Sequence, residues 1–308
     1  MELRIKTIQD FLDKLNIDFI YSGDSELIVE TFSSLHNVKN SSVTWMKKLN
    51  AEQLDNLCNK EKVLVVCCKD QICDAYPDLN FLFCKNPKQV FFSILTAFFS
   101  ERKVSGISRT AVVETEHVGT GCSIGHYSYL GPKVIIEDDV CIGHNVVIQN
   151  KVHIKKGTTI GSGCVIGGDG FGYYKDSEGI SQKVPHFGGV IIGKNVEIGA
   201  NTCIDRGTID DTIIGDYVKI DNLCHIAHNV VIGDKSKVIA LSMLAGSSCL
   251  DNSVYIAPGV LVKNQIKIGA NSVVGMGAMV LKDVEKDQVV LGMPAKSVRK
   301  VTEEDKML

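Results

Sequence analysis

An aliphatic residue recurs at every sixth position through most of the second part of this 308-residue chain. An amphipathic α-helix cannot keep that period, because six residues turn it by about 600° and the apolar positions would spiral around its surface. A short strand followed by a tight corner, repeated many times, explains the period, with the aliphatic side chain pointing inward. The repeated positions are Val118, Ile124, Leu130, Ile136, Ile142, Ile148, Ile154, Ile160 and Ile166, then Ile192, Ile198 and Ile204, and then Ile214, Ile220, Ile226, Ile232, Val238, Leu244, Leu250, Ile256, Val262, Ile268, Val274 and Val280. The sequence therefore predicts a mainly β fold built from 24 hexads.

Small residues accompany this repeat. A glycine, aspartate or alanine often follows the aliphatic residue, and these residue types suit a corner. Four positions after the aliphatic residue comes a second inward residue, for example Cys122, Cys164, Cys224 or Val230. The eleven cysteines show no paired C-x-x-C arrangement. We therefore expect most of them to behave as small hydrophobic residues in a reducing compartment.

Charge and hydropathy exclude two classes of protein. The formal net charge of −3 offers no basic excess for binding nucleic acid. The longest apolar run, residues 63–68, is far shorter than the roughly 18 residues of a membrane span. The first residues place Ile8, Phe11, Leu12 and Leu15 at helical spacing and lack the apolar core of a signal peptide. We expect a cytoplasmic protein without a transmembrane segment.

The hexads divide the chain into three parts, 1–103, 104–284 and 285–308. The first part is predicted as an α/β domain, with strands around residues 19–21, 42–45 and 63–67 and an apolar helix from Pro87 to Phe99. It is either a small nucleotide- or partner-binding module or a cap over the open end of the solenoid. The last part has room for a strand and one short helix.

Two insertions interrupt the repeat, at residues 168–190 and 205–213. A solenoid that buries its whole interior has no packing reason to extrude a loop, and loops carried on a rigid scaffold often hold functional residues. The first insertion contains Asp169, Phe171 and Tyr173. We therefore expect substrate contacts in these two insertions.

Several stretches between about residue 160 and residue 250 contain residues that the plain hexad does not require. They are Gly168-Asp169-Gly170-Phe171-Gly172-Tyr173, Lys183-Val184-Pro185, Val190-Ile191-Ile192-Gly193, Ile204-Asp205-Arg206-Gly207, Asp210-Asp211-Thr212, Ile220-Asp221-Asn222, Ile226-Ala227-His228-Asn229-Val230-Val231-Ile232-Gly233 and Ala245-Gly246-Ser247. In this order the stretches resemble the UDP-3-O-(3-hydroxyacyl)glucosamine N-acyltransferase family of hexapeptide-repeat acyltransferases.

This resemblance implies a left-handed parallel β-helix with three hexads per coil, hence about eight coils, and a homotrimer with active sites between subunits. It implies transfer of an acyl group from a thioester to the amino group of a nucleotide-linked sugar, in lipid A biosynthesis. It also places Trp45 where the family stacks an aromatic side chain on uracil. The family's Asn-x-Lys-Tyr sequence is replaced by Lys47-Lys48-Leu49-Asn50, which leaves the base open.

The acyl donor stays open as well. A second histidine of the family aligns with Gln265, and the family's longer helical extension, which engages acyl carrier protein, has no counterpart here. The sequence Gly292-Met293-Pro294-Ala295-Lys296 resembles hexapeptide acetyltransferases that use acetyl-CoA. The donor is therefore either an acyl-carrier-protein thioester or an acyl-CoA, and no bound cofactor is expected.

Acyl transfer to an amine needs a base for the amine proton and a donor for the oxyanion. His228 is the candidate base, because Ile226 and Val230 take the inward positions of its hexad and leave His228 pointing outward. Gly246 follows 18 residues later, with no insertion between them. Its N–H should therefore lie one coil from His228, and the resemblance indicates the same glycine.

Other polar residues are candidates for lesser roles. His126 and His144 share the outward position of His228 and are alternative bases. The remaining candidates, placed near the matching stretches, would contact the substrate or orient the imidazole; they are His186, Asp205, Asp221, Asn222 and His225.

Three other functions remain open at this point. An acetyl-CoA-dependent N-acetyltransferase for O-antigen or capsule sugars would fit the C-terminal sequence. A non-catalytic binding scaffold would fit the repeat alone, although the extruded loops argue against it. A carbonic-anhydrase-like hexapeptide protein would need three zinc-binding histidines, and the sequence assigns no such set.

Overall fold

The computed structural model describes residues 2–47, 51–69, 71–100, 105–149 and 151–305. The chain divides into two compact units, Met1–Lys103 and Val104–Leu308. The Lys48-Leu49-Asn50 stretch, on which the choice of base depends, lies outside the described residues.

The first unit is an α/β domain. Its described strands form one larger sheet in the order Phe19–Ser22, Asn80–Cys84, Leu64–Cys67, Ser42–Trp45 and Thr31–Phe32. The first of these strands runs antiparallel to its neighbour and the others pair in parallel. A separate antiparallel pair joins Leu3–Arg4 to Ile28–Val29.

Helices cover this sheet at Ile5–Lys14, Ala51–Cys58 and Pro87–Phe98, and a 3₁₀ turn spans Gln71–Ala75. The third helix starts as predicted, because Pro87 occupies its first turn and the Asn86 side chain accepts the Gln89 N–H. The first helix ends at Lys14, so Leu15 lies beyond it and is exposed rather than part of the buried face. The helix at Ala51–Cys58 and the strand at Asn80–Cys84 were not predicted.

The second unit is a parallel β-helix whose strands form three sheets, called here faces A, B and C. Face A, in chain order, contains Gly106–Ile107, Ser123–Ile124, Cys141–Ile142, Thr159–Ile160, Glu197–Ile198, Lys219–Ile220, Lys237–Val238, Tyr255–Ile256, Val273–Val274, Gln288–Leu291 and Lys296–Lys300. Face B contains Val112–Val113, Tyr129–Leu130, Val147–Ile148, Val165–Asp169, Cys203–Arg206, His225–Ile226, Met243–Leu244, Leu261–Val262 and Met279–Val280. Face C contains Ile135–Ile136, Val152–Ile154, Val190–Ile192, Thr212–Ile214, Val231–Ile232, Cys249–Leu250 and Lys267–Ile268.

The chain visits the faces in the order A, B, C, so each coil has an AB, a BC and a CA corner. Parallel pairing places equivalent residues of successive coils next to each other: Ile124 lies beside Ile142, and Ile204 lies beside Ile226. The predicted aliphatic positions from Ile124 to Val280 are buried, and so are the second inward residues Cys164 and Cys224. Each coil therefore closes the interior of the next, which is why the period must be strict.

The glycines that follow the aliphatic residues were predicted to suit the backbone conformation of a corner, and the structure gives a different reason for them. The left-handed backbone conformation lies three positions after the inward aliphatic residue, for example at Asn145, Asn229 and Gln265. Apart from Gly167, whose φ is 85°, the glycines directly after the aliphatic residue lack this conformation. A Cβ on Gly125 would instead collide with the Gly143 carbonyl of the next coil. These glycines are needed for close stacking of coils rather than for an unusual φ.

The β-helix extends beyond the first and the last hexad, although its start lies within the predicted 104–284 part. It begins with Gly106–Ile107 and Val112–Val113 and continues to Gln288–Leu291, which pairs in parallel with Val273–Val274. The hexad pattern did not predict the C-terminal extension, because the spacing of six residues is broken there. The next buried aliphatic residue after Val280 is Val284, only four positions later. The strand Lys296–Lys300 folds back antiparallel on Gln288–Leu291 and replaces the short helix that was expected there.

Within the described residues, no helix is both long and apolar enough to cross a membrane.

Candidate active site

The candidate base and the candidate oxyanion donor of the second unit both lie at the BC corner. His228 lies there after Ile226, and Gly246 occupies the same position one coil later; the coils are joined by a hydrogen bond from the Ser247 N–H to the His228 carbonyl at 2.9 Å. Both insertions leave the helix at this corner, after the face-B strands of Ile166 and Ile204. Coil stacking therefore unites two extruded loops, the histidine and the glycine.

His228 packs directly over Gly246. A Cβ on Gly246 would lie 2.6 Å from the His228 Nε2 and 2.7 Å from its Cε1. No described residue accepts the Gly246 N–H. By contrast, at the CA corner the Asp234 N–H is taken by Asn252 Oδ1 at 2.9 Å. Gly246 thus presents a free backbone donor beside the imidazole, which is the pairing that acyl transfer requires.

Asn229 fixes the tautomer of His228. The Asn229 Oδ1 accepts the N–H and the hydroxyl of Thr208, at 3.0 and 2.9 Å, so it must also be the acceptor toward His228 Nδ1 at 3.1 Å. The Asn229 Nδ2 donates to the Asp210 carbonyl at 3.1 Å. His228 therefore carries its proton on Nδ1, and its Nε2 lone pair is available as a base. The sequence analysis missed Asn229, although it directly follows the candidate base.

His186, from the first insertion, lies beside His228. The two rings have centroids 5.5 Å apart and are nearly perpendicular, at 77°. Gly170 permits this arrangement, because a Cβ there would lie 2.7 Å from the His228 Cβ and 3.0 Å from the His186 Nε2. His186 is 7% exposed, and its Nδ1 donates to the Val184 carbonyl at 2.9 Å.

Acidic and basic groups surround the two histidines. Burial raises the pKa of Asp205, while its neighbours His225, His228 and His186 act in the opposite direction. The His225 Nε2 lies 3.7 Å from the Asp205 carboxylate. A hydrogen bond from Lys183, with a separation of 2.9 Å, lowers the pKa of Asp169. The predicted residues Asp169, His186, Asp205 and His225 are therefore brought together with His228.

Two predicted residues of the second unit lie away from His228, and two others are on the first insertion. Asp221 and Asn222 occupy the AB corner, where Asn222 Oδ1 accepts the Ala200 N–H at 2.7 Å and Asp221 Oδ1 accepts the Asn222 N–H at 2.7 Å. In this chain they hold corner backbone and do not touch His228. Phe171 and Tyr173 are on the first insertion with their rings 4.8 Å apart, and Phe171 is 86% exposed.

The alternative bases are also at the AB corner. His126 and His144 stack with centroids 5.5 Å apart, and the His126 N–H donates to His144 Nδ1 at 2.8 Å. Neither lies beside His228. Among the described residues, no three His, Cys, Asp or Glu side chains form a metal-ligand cluster.

Trp45 belongs to the first unit and lines a cavity of about 550 Å³. The centroid of its ring lies 6.4 Å from the ring centroid of Phe91 and 6.5 Å from that of Phe92. The Thr44 Oγ1, on the same strand, is buried and has no hydrogen-bond partner in the described part of the chain. The cavity is therefore defined by aromatic side chains, while the Thr44 side chain, next to Trp45 in the strand, points to the opposite face of the sheet.

Comparison with known proteins first defines the class. Residues 117–150 and 211–245 match the model of the bacterial transferase hexapeptide (six repeats), and residues 189–222 match the hexapeptide repeat of succinyl-transferase. The solved structure of a UDP-N-acetylglucosamine acyltransferase from Bacteroides fragilis is similar with a TM-score of 0.57 and 26% identity, over 63% of this chain and 74% of that chain. The fold is therefore the left-handed parallel β-helix of the hexapeptide-repeat acyltransferases.

Sequence relatives give the family. UDP-3-O-acylglucosamine N-acyltransferase 2 of Legionella pneumophila (strain Paris) is 36% identical, over 93% of this chain and 89% of the relative. UDP-3-O-acylglucosamine N-acyltransferase of Coxiella burnetii (strain RSA 493 / Nine Mile phase I) is 38% identical, over 68% of this chain and 67% of the relative. The chain belongs to the UDP-3-O-acylglucosamine N-acyltransferase family and is an acyltransferase.

Proposed function

We propose that this chain transfers an acyl group from a thioester to the amino group of a UDP-3-O-acylglucosamine, a step of lipid A synthesis. The observation that carries the proposal is the pair formed by the free His228 Nε2 and the unpaired Gly246 N–H, beside two extruded loops, in a chain of this family.

In the proposed reaction, His228 Nε2 removes a proton as the amine attacks the thioester carbonyl carbon. The Gly246 N–H donates to the oxyanion that forms on that carbon. When the C–S bond breaks, His228 returns the proton to the sulfur of the leaving thiol. The hydrogen bond from His228 Nδ1 to Asn229 stabilises the imidazolium during this cycle.

The donor is a thioester of either acyl carrier protein or coenzyme A. The C-terminal strands Gln288–Leu291 and Lys296–Lys300 pair antiparallel. The sequence Gly292-Met293-Pro294-Ala295-Lys296, which resembles that of hexapeptide acetyltransferases, keeps the coenzyme A alternative, including an acetyl donor, in the proposal. Purified protein should be incubated with UDP-3-O-acylglucosamine and a panel of carrier-protein and coenzyme A thioesters of different chain length. Amide formation with none of them would refute the proposed function.

We propose that the cavity beside Trp45 holds the nucleotide base. A flat base would lie against the aromatic side chains. Titration with a uridine nucleotide should quench the fluorescence of Trp45, the single tryptophan of the chain. Undiminished affinity in Trp45→Ala would leave this residue a packing role only.

We also propose a homotrimer. Large apolar side chains project from the AB corner, where Leu223 and Leu241 are 54% and 62% exposed, and from the insertions, where Phe187 and Ile209 are exposed. Apolar surface of this kind favours association. Light scattering coupled to size-exclusion chromatography should give three times the chain mass, and a stable monomer would refute the trimer. The expected location is the cytoplasm, because the described cysteines are free thiols.

A further inference from the structure

His186 has a buried acceptor atom that the protein leaves unused. Its Nδ1 must carry a proton, because it donates to the Val184 carbonyl, which can only accept. The neutral ring therefore has a lone pair on Nε2. This atom is buried and has no hydrogen-bond partner among the described residues. A buried polar atom without a partner costs about 1–3 kcal/mol, so its persistence beside His228 indicates a ligand donor.

The acceptor amine is a donor of the right kind. A neutral primary amine has two N–H groups and one lone pair. The lone pair attacks the thioester, and one N–H gives its proton to His228 Nε2, so one N–H remains. A hydroxyl acceptor has only a single O–H, which the base consumes. The two acceptor classes therefore differ by one donor at the reacting atom.

His186 and His228 are direct neighbours. Their ring centroids are 5.5 Å apart and the rings are nearly perpendicular. Gly170 packs against both side chains, because a Cβ there would lie 2.7 Å from the His228 Cβ and 3.0 Å from the His186 Nε2. An amine that donates to both Nε2 atoms at about 2.9 Å, with tetrahedral geometry, requires those two atoms to lie roughly 5 Å apart when it is bound.

We propose that His186 selects an amino acceptor over a hydroxyl acceptor by receiving the second N–H of the attacking amine. This inference rests on the proposed function, since it assigns a role in the same reaction. The new C–N bond forms as the C–S bond breaks, one amine proton moves to His228 and then to the leaving sulfur, and the second proton stays on the nitrogen. The amide product keeps that N–H directed at His186 Nε2, whereas an ester product has none.

The preference for an amine over a hydroxyl follows from the cost of leaving the His186 Nε2 buried without a hydrogen-bond donor. A site that binds a substrate N–H discriminates strongly against an analogue that lacks it, because its own acceptor is then buried without a partner. Removing the acceptor from the protein should remove that discrimination. The expected loss is at least about tenfold in the preference for amine over hydroxyl, the equivalent of one hydrogen bond.

The experiment compares kcat/KM for UDP-3-O-acylglucosamine and for its analogue with a hydroxyl in place of the amino group. His186→Phe keeps a flat ring without the Nε2 lone pair, and His186→Gln supplies a replacement acceptor. His117→Phe is the matched control, because His117 is exposed and outside the site. The ratio of the two kcat/KM values should fall at least about tenfold in His186→Phe, recover in part in His186→Gln, and stay at the wild-type value in His117→Phe.

Three results overturn the inference: an unchanged ratio in folded His186→Phe, an equal fall in His117→Phe, or no recovery in His186→Gln. If His186→Phe does not fold, the inference is tested by substrate binding to the wild-type protein. Its affinity for the amine should exceed that for the hydroxyl analogue at least about tenfold without donor, at about pH 9 where the amine is largely neutral. Equal affinities would overturn the inference. Absence of wild-type amide formation would instead refute the proposed function.

Discussion

The AB and BC corners of the β-helix use the same residue types in opposite ways. At the AB corner, His144 Nδ1 accepts the His126 N–H and Asn222 Oδ1 accepts the Ala200 N–H, so the polar side chains complete the backbone ladder. At the BC corner, His228 Nε2, the Gly246 N–H and His186 Nε2 have no such partner in the described chain. The difference teaches that the BC corner is set apart by one combination: a histidine packed over a glycine whose N–H has no partner in the described chain.

The largest effect should come from removing the base at the BC corner. His228→Ala should fold normally, since the side chain fills no interior cavity, and should lose at least about a hundredfold in kcat. His144→Ala, at the AB corner, should keep turnover, and near-normal turnover in His228→Ala would make His225, His144 and His126 the next candidates.

Gly246→Val tests the oxyanion donor, which no side-chain deletion can remove. The first atom of the new side chain would lie 2.6 Å from the His228 Nε2 and would displace the imidazole or the thioester. We expect a loss of about a hundredfold in kcat, within the range for loss of an oxyanion donor. Circular dichroism should show an intact β-helix. Wild-type turnover in this variant would separate Gly246 from the chemistry.

Asn229→Ala should cost less, because the base remains but its tautomer and orientation are no longer fixed. We expect a fall of about tenfold or more in kcat with a smaller change in KM. Asn201→Ala is a close control: both asparagines have a left-handed backbone, with φ of 60° and 56°, but Asn201 is at the AB corner. Both variants therefore bear the same backbone strain. Equal losses of turnover would show that strain alone is responsible.

The smallest effect concerns stability. Burial raises the pKa of Asp205 in the folded chain above its unfolded value. The buried carboxylate therefore costs little stability below the unfolded pKa, where it is protonated in both states, and destabilises the fold as the pH rises through the folded pKa. Asp205→Asn should raise Tm at pH 7 and change it less near pH 3, while turnover falls. A larger gain at acidic pH would contradict the assigned direction.

The sequence predicted the interior of the second unit almost completely, and the site only in part. Hexads determine which side chains are buried, because each coil repeats the same environment. His228 and Gly246 followed from counting hexads, since no insertion separates them. Asp221 and Asn222 were expected at the site because they lie close to His228 in the sequence. Their hexad, however, ends at the AB corner, whereas the hexad of His228 ends at the BC corner. Residues adjacent in sequence separate here, because every hexad turns the chain to a new face.

By itself the sequence determined the period, the buried residues, the two insertions and the family to which the chain is similar. Only the tertiary structure decided which polar atoms are free. His186 contacts His228 because the first insertion folds back over the BC corner. The Asn229 Oδ1 accepts a hydrogen bond from His228 because Thr208, in the second insertion, orients the Asn229 side-chain amide. Whether a hydrogen-bonding atom is used depends on its neighbours in adjacent coils and loops, which are distant in sequence, so no local pattern records it.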